Sequence, residues 1–315
     1  MASQLAFKSR IASTESLEKI FNAQEMIASS RIAKARDVAL AAKPYSDAIF
    51  HAVKAMASHT VLKHPILGKS EENNRVAVLA LTSDRGMAGA YTSSIIRETE
   101  ALLNRLDEDG KKPELFVYGR RGVSYYKYRG RDVAATWEGH TDAPGVDIAE
   151  KISDELYKAY MKPAREGGVN EFYIVFTEFI NMVTQKVRII RMLPVEVELV
   201  DDSYEGVVDK QKMSSNSVTT FGHSSSPRYS VEPSAEEVLD HILPKYLQSR
   251  IHECLLTAAA SETACRQNAM HTATDNARSL VEELTRKLNA SRQASITQEL
   301  NEIIGSADAL NNEEE

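Results

Sequence analysis

The chain has 315 residues, 43% of them hydrophobic and 26% charged, with a formal net charge of -7. That is enough apolar material for one or two buried cores, and the acidic balance argues against nucleic acid as the main partner. No run approaches the roughly 18 to 20 apolar residues that a bilayer span needs, and the start MASQLAFKSR lacks the apolar stretch of a secretory signal. The sequence therefore predicts no direct membrane insertion and a protein that stays on the cytoplasmic side of any membrane it works beside.

From about residue 3 to residue 62 apolar positions recur with a stagger of three and four. The clearest run is Val38, Ala42, Tyr45, Ile49, Ala52 and Met56, which predicts the seam of a coiled coil. Some sixty helical residues would extend about 90 Å. Pro44 interrupts the pattern without ending it, so a kink is expected there. Between Met1 and Lys63 nine Lys and Arg face five Asp and Glu, a local charge of +4.

The period then becomes strand-like. Residues 75–82, 115–119 and 171–179 are short runs rich in Val, Ile, Leu and aromatics, and they alternate with helical stretches over 93–106 and 148–160. Such alternation predicts an α/β domain with a doubly wound, mostly parallel sheet. Residues 187–193 and 195–200 supply a further strand or strand pair. Residues 201–228 turn polar and carry too little apolar area to order themselves, which predicts a loop.

A second long helix is expected after Ser234, because Ser234 and Glu237 form a capping box. Pro244 is expected to kink or divide it. Ile251, Leu255, Ala258, Cys265 and Ala269 continue a seam, with Glu262, Thr272 and Asn276 as polar residues on or near it. From Ala235 to Glu315 seven cations face fourteen acids, a charge of -7, opposite in sign to the first segment. The expected organisation is an N-terminal arm over 1–65, a central domain over 66–200, a polar loop over 201–233 and a C-terminal arm over 234–315. Cys254 and Cys265, about 16 Å apart along one helix, cannot bridge within it.

Little in the chain resembles an active site. The turn LTSDRGMAGAY over 81–91 leaves a strand and enters a helix, the place where an α/β protein binds phosphate. It lacks the second glycine of GxGxxG. Gly68-Lys69-Ser70 is no P-loop, since Lys63 stands where the pattern needs glycine. A tight structural turn is the favoured reading. The eight histidines show no metal-ligand spacing and no Gly-x-Ser-x-Gly elbow occurs, so no cofactor, metal or catalytic residue is expected. The run YGRRGVSYYKYRGR over 118–131 mixes base and aromatic; a solvated face or a protein contact is favoured over nucleic acid.

Five blocks carry a resemblance across nearly the whole chain. They are residues 9–35, Lys43-Pro44-Tyr45, the SDRGMAGAY turn, ATDNARSL over 273–280 and RQASITQELNEI over 292–303. In this order they resemble the gamma subunit family of bacterial F-type ATP synthases. The resemblance implies an antiparallel coiled coil of the two terminal helices and an α/β body. It further implies a rotor shaft that couples proton flow through a membrane ring to ATP synthesis or hydrolysis on a ring of alpha and beta subunits, with no catalysis of its own. Implied partners are the alpha, beta and epsilon subunits and the membrane c-ring, with the chain peripheral on the cytoplasmic face of the cell membrane. Implied contacts are Arg266, Gln293 and Thr297 toward the beta subunit, Ile296, Leu300 and Ile303 as an apolar bearing or equally a coiled-coil seam, and Tyr229 toward the membrane ring. The family often has Met at Gln24 and Cys-Gly at Ala88-Gly89, and the polar loop lacks the paired cysteines of plant-type members. A free-standing nucleotide-dependent enzyme and a static coiled-coil adaptor are the competing readings.

Overall fold

The computed structural model describes residues 2–59, 73–195 and 234–311. In chain order the elements are α1 (Ala2–His59), β1 (Arg75–Leu81), α2 (Tyr91–Glu108), β2 (Lys112–Tyr118), α3 (Arg120–Arg129), β3 (Ala135–Trp137), α4 (Val146–Met161), β4 (Glu171–Phe179), β5 (Gln185–Leu193) and α5 (Ala235–Asn311). The chain forms two compact units. One comprises Ala33–Gly86 and Ala90–Glu262, the other Met1–Ile32, Met87–Gly89 and Thr263–Glu315. The division falls inside both long helices.

The larger unit holds a five-stranded sheet in the order β3-β2-β1-β4-β5. β1 pairs in parallel with β2 and with β4, and β2 with β3; only β5 runs antiparallel, against β4. The mostly parallel, doubly wound expectation holds. Each central strand alternates between two buried faces, which is why its sequence reads as an unbroken apolar run. Ala77, Leu79 and Leu81 of β1 meet Ile152, Leu156 and Tyr160 of α4, and Tyr246, Leu247 and Ile251 of α5 belong to the same core. Val76, Val78 and Ala80 point the other way, and α2 packs against β1, β2 and β4. β3 escaped the sequence reading because three residues flanked by polar ones are too short to show a period.

The long helices run through their prolines. Pro44 lies inside α1 and Pro244 inside α5, and neither ends its helix. Ser234 caps α5 as expected: the Glu237 backbone N–H donates to its Oγ at 3.3 Å. The expected α1 seam needs correction. Of that seam Met56 is buried and Ala42, Ile49 and Ala52 are half-buried, but Val38 and Tyr45 are exposed, while Ser46 and Val53, which lie outside it, are buried. Thr272 and Asn276 are likewise exposed, and Thr274 and Ala277 take the buried positions. Over long helices a pattern of alanines and scattered large residues fits more than one stripe, and only the partner's surface selects between them.

The smaller unit is a pair of helical segments whose contacts run in opposite directions. Gln4 Nε2 donates to Ser295 Oγ at 3.1 Å, Glu18 accepts from Arg278 Nε at 2.8 Å, and Glu25 bonds His271 Nδ1 at 3.0 Å. Among the described residues its buried side chains are mostly small: Thr14, Ala28, Ile32, Ala88, Thr263, Ala264, Met270, Thr274, Ala277 and Leu284. The segment 196–233, with the later part of the expected strand pair and the polar loop, lies outside the described residues.

Candidate functional site

Two places merit chemical scrutiny, and the first is the cleft at the carboxyl ends of the parallel strands. In an open α/β sheet this is where ligands bind, on backbone amides and a helix N-terminus. The loop after β1, the start of α3 and the loop after β3 line a cleft of about 350 Å³, with Arg85, Arg120, Glu138, His140, Asp142 and Glu262 at its walls. Its amides are already engaged by the chain itself. Asp84 Oδ1 accepts from the Arg120 N–H at the head of α3 at 3.0 Å, while Oδ2 accepts from the Gly139 and Thr141 N–H groups at 3.0 and 3.2 Å. The Thr141 hydroxyl donor–acceptor pair closes the clamp, accepting from the Asp84 N–H at 3.0 Å.

A carboxylate thus occupies the anion position of the fold. A phosphate would have to displace Asp84 from three charge-assisted hydrogen bonds, each worth about 1.5 to 3 kcal/mol. The turn is held tightly elsewhere as well. Thr82 Oγ1 donates to the Tyr118 carbonyl and accepts from the Gly122 N–H, and a Cβ on Gly122 would lie 2.5 Å from that oxygen. His140, beside the clamp, holds a left-handed φ of 57°, a conformation that costs a non-glycine residue energy and is sustained here by the surrounding bonds. The sequence signal was available, an aspartate two residues before a glycine at a strand end, but its partners come from two other loops.

The basic run over 118–131 resolves into separate roles. Tyr118 and Tyr126 are core residues, and burial raises both phenols well above their ordinary range, with Asp84 adding to the effect at Tyr118. Arg131 pairs with Glu100 at 3.0 Å, Arg120 donates to the Asp84 carbonyl, and Arg129 lies over the Tyr125 ring. Among the described residues no group of three His, Cys, Asp or Glu could hold a metal ion.

The second place is the outer surface of the helix pair. Gln293, Thr297, Leu300 and Ile304 follow one another at intervals of four, three and four, and Ile296 lies four before Leu300, so they share one broad face of α5. All five are exposed, Ile296 by 50% and Leu300 by 53%. The contact toward α1 here is made by Ser295, which accepts from Gln4 Nε2 and, like Ser291, is half-buried. Ile303, like Ile296 and Leu300, is exposed. Thr297 Oγ1 donates to the Gln293 carbonyl at 3.0 Å, so its methyl group is left to face outward.

Gln24, half-buried, falls on a stripe of α1 with Leu17, Ile20 and Ile27, three exposed apolar residues. Arg266 is half-buried and lies about 40 Å along the helix from Gln293. Tyr229 lies outside the described residues.

An antiparallel helix pair joined in one chain to a doubly wound sheet is the fold that the resemblance implies. The ATP synthase family profile matches residues 3–310. The chain belongs to the ATP synthase gamma chain family. It is 73% identical to the ATP synthase gamma chain of Bifidobacterium adolescentis over 315 residues, all of both chains, and 48% identical to that of Beutenbergia cavernae over 307 residues, 98% of each. Among solved structures it is similar to a chain of the Euglena gracilis mitochondrial ATP synthase OSCP/F1/c-ring assembly, with a TM-score of 0.64 at 14% identity, covering all of this chain and 96% of that one. A central stalk chain of the Tetrahymena thermophila enzyme matches with a TM-score of 0.56 at 18% identity, covering 81% and 99%. These gamma chain relatives share the length of the chain, and the structures share its fold. No described helix is long and apolar enough to cross a membrane.

Proposed function

We propose that the chain works as the central rotor shaft of an F-type ATP synthase. In this reading it couples proton flow through a membrane c-ring to ATP synthesis or hydrolysis on a ring of alpha and beta subunits. The helix pair turns inside that ring, and the sheet unit meets the epsilon subunit and the c-ring at the cytoplasmic face of the cell membrane. The observation that carries this reading is the exposed stripe of Gln293, Ile296, Thr297 and Leu300, facing away from the partner helix. A monomeric helix pair gains nothing by displaying large apolar side chains in water, and such patches mark contact surfaces.

The chemistry of the stripe suits a shaft. Apolar side chains make contacts that are weak individually and non-directional, so a surface can slide past successive subunits without breaking strong bonds. A polar pair one turn apart, Gln293 and Thr297, can form a contact with one subunit that its neighbours lack at that instant. Differential contact of this kind is what shifts otherwise equivalent sites between states of different nucleotide affinity. The chain itself contributes no catalytic group, and the closure of its switch-point cleft by Asp84 supports this.

The test is to purify the chain from native membranes with a tag on the sheet unit and assay ATP hydrolysis by the isolated chain and by the assembly that accompanies it. Hydrolysis confined to the assembly, with two larger nucleotide-binding subunits in excess, is expected. Hydrolysis by the chain alone would overturn the reading. Cross-linking Thr297 to one beta subunit separates shaft from static adaptor: it abolishes coupled activity in the first case and leaves it intact in the second.

A further inference from the structure

A rod that carries twist is limited by its weakest cross-section, and in α1 that section can be located. Pro44 has no N–H, so the ladder of α1 lacks the bond that would reach the Leu40 carbonyl. Packing against α5 is thin on that side too. A cleft of about 180 Å³ opens there, lined by Arg36, Ala39, Leu40 and Lys43 of α1, by Glu178 and Phe179 of β4, and by Glu253, Thr257 and Ala260 of α5.

Immediately past the proline the two helices are joined by a polar cluster inside the sheet unit. Ser46, 1% exposed, donates its hydroxyl to Glu253 Oε2 at 2.6 Å, and the same oxygen accepts from Arg250 Nη1 at 2.6 Å. The Arg250 guanidinium lies 5.5 Å from the Phe50 ring centroid, and Phe50 stacks on Tyr246. Two residues one turn apart on α1, Ser46 and Phe50, thus grip three on α5. The arginine and glutamate side chains are only 19% and 18% exposed. The surrounding seam is made of alanine, valine, leucine and isoleucine, whose contacts survive a slip along the helix axis. A buried charge pair with one hydroxyl partner survives only in one register, and fixing register is the best-attested use of such groups.

The geometry points to a splint: Glu253, held by Arg250 and bonded to Ser46, fixes the axial register of α1 on α5 at the proline and so carries torque across the weak section. The inference rests on the shaft reading. Glu253 and Ser46 are then positioning residues, touching no nucleotide.

The experiment uses the whole complex, with the catalytic ring immobilised and a probe on the sheet unit, and records angular fluctuations between steps. Glu253→Gln is expected at least to double the angular variance, Ser46→Ala to raise it less, and Ser46→Thr, which keeps the hydroxyl, to leave it at the wild-type value. The yield of complex and the rate of ATP hydrolysis under no load should stay unchanged, which a merely stabilising role would not allow. Should Glu253→Gln fail to assemble, Ser46→Ala decides alone, since it leaves the Arg250–Glu253 pair intact. Wild-type variance in Ser46→Ala overturns the splint. A wild-type body that does not rotate at all would instead fail the shaft reading on which it rests.

Discussion

The sheet unit and the helix-pair unit draw on one residue alphabet and spend it in opposite directions. In the sheet unit the large apolar side chains point inward: Leu79, Leu81, Ile95, Ile152, Phe172 and Ile174 are almost wholly buried. In the helix pair the interior is alanine, threonine and serine with a few larger residues, while Leu17, Ile20, Ile296, Leu300 and Ile303 face out. The sheet unit gains its stability from burial, at roughly 1.5 to 3 kcal/mol for each large side chain taken out of water. The helix pair is held by narrow packing and by exposed ion pairs such as Arg278–Glu18, each worth no more than about 1 kcal/mol.

The contrast can be broken by experiment, beginning with the sheet unit. Ile152→Ala leaves a cavity between α4 and the sheet and should cost about 2 to 5 kcal/mol, read as a lowered denaturation midpoint. A loss below 1 kcal/mol would mean that this core is loosely packed. The triple change Ile296→Ser, Leu300→Ser, Ile303→Ser is expected to behave oppositely. With all three side chains exposed, each should move the stability of the isolated chain by no more than about 0.5 kcal/mol, while coupled ATPase activity of the assembly falls.

Asp84→Ala lies between these extremes. It leaves three amides without their acceptor and should cost about 1 to 3 kcal/mol. Inorganic phosphate should then restore part of the lost melting temperature, whereas it leaves the parent protein unchanged. A variant as stable as the parent would show that water replaces the carboxylate at no loss.

Alkaline pH separates the units without mutation. All twelve tyrosines lie outside the helix-pair unit. Burial raises the phenols of Tyr118, Tyr126 and Tyr160, and pushes Tyr246 and Tyr173 up to about 12, from an ordinary value of 10.0. The folded state keeps these protons after the unfolded chain has lost them, so stability is full below pH 10 and declines as pH rises through the raised values. Near-ultraviolet tyrosine signals should collapse in that window. Persistence of native tyrosine signals well above it would contradict the burial. A modest effect is expected from Ser234→Ala, which removes the cap of α5 and should cost about 0.5 to 2 kcal/mol, checked by thermal melting.

Much of the fold was legible in the sequence. Two long helices, the central strands within a few residues, the parallel character of the sheet and the Ser234 cap could all be read, because each is written in local period or local chemistry. The face of each helix was not. Val38 and Tyr45 satisfied the seam pattern and proved to be exposed, while Ser46 broke it and proved to be buried, because its hydroxyl finds Glu253 across 207 residues of chain. The candidate site divides in the same way. Gln293 and Thr297 could be placed on one face by spacing alone, but whether Ile296 and Leu300 looked inward or outward depended on the Gln4–Ser295 contact from the other terminus.

What the sequence determined by itself was therefore the kind of each element, its length and the family to which the chain belongs, since these follow from backbone preferences and from residues close together in the chain. What only the tertiary structure decided was orientation: which side chains of α1 are buried, which of α5 are left exposed, and that Asp84 accepts from the amides at the carboxyl ends of the strands. Those outcomes depend on partners that arrive from distant segments, and a helix or a turn carries no local record of which neighbour will cover it.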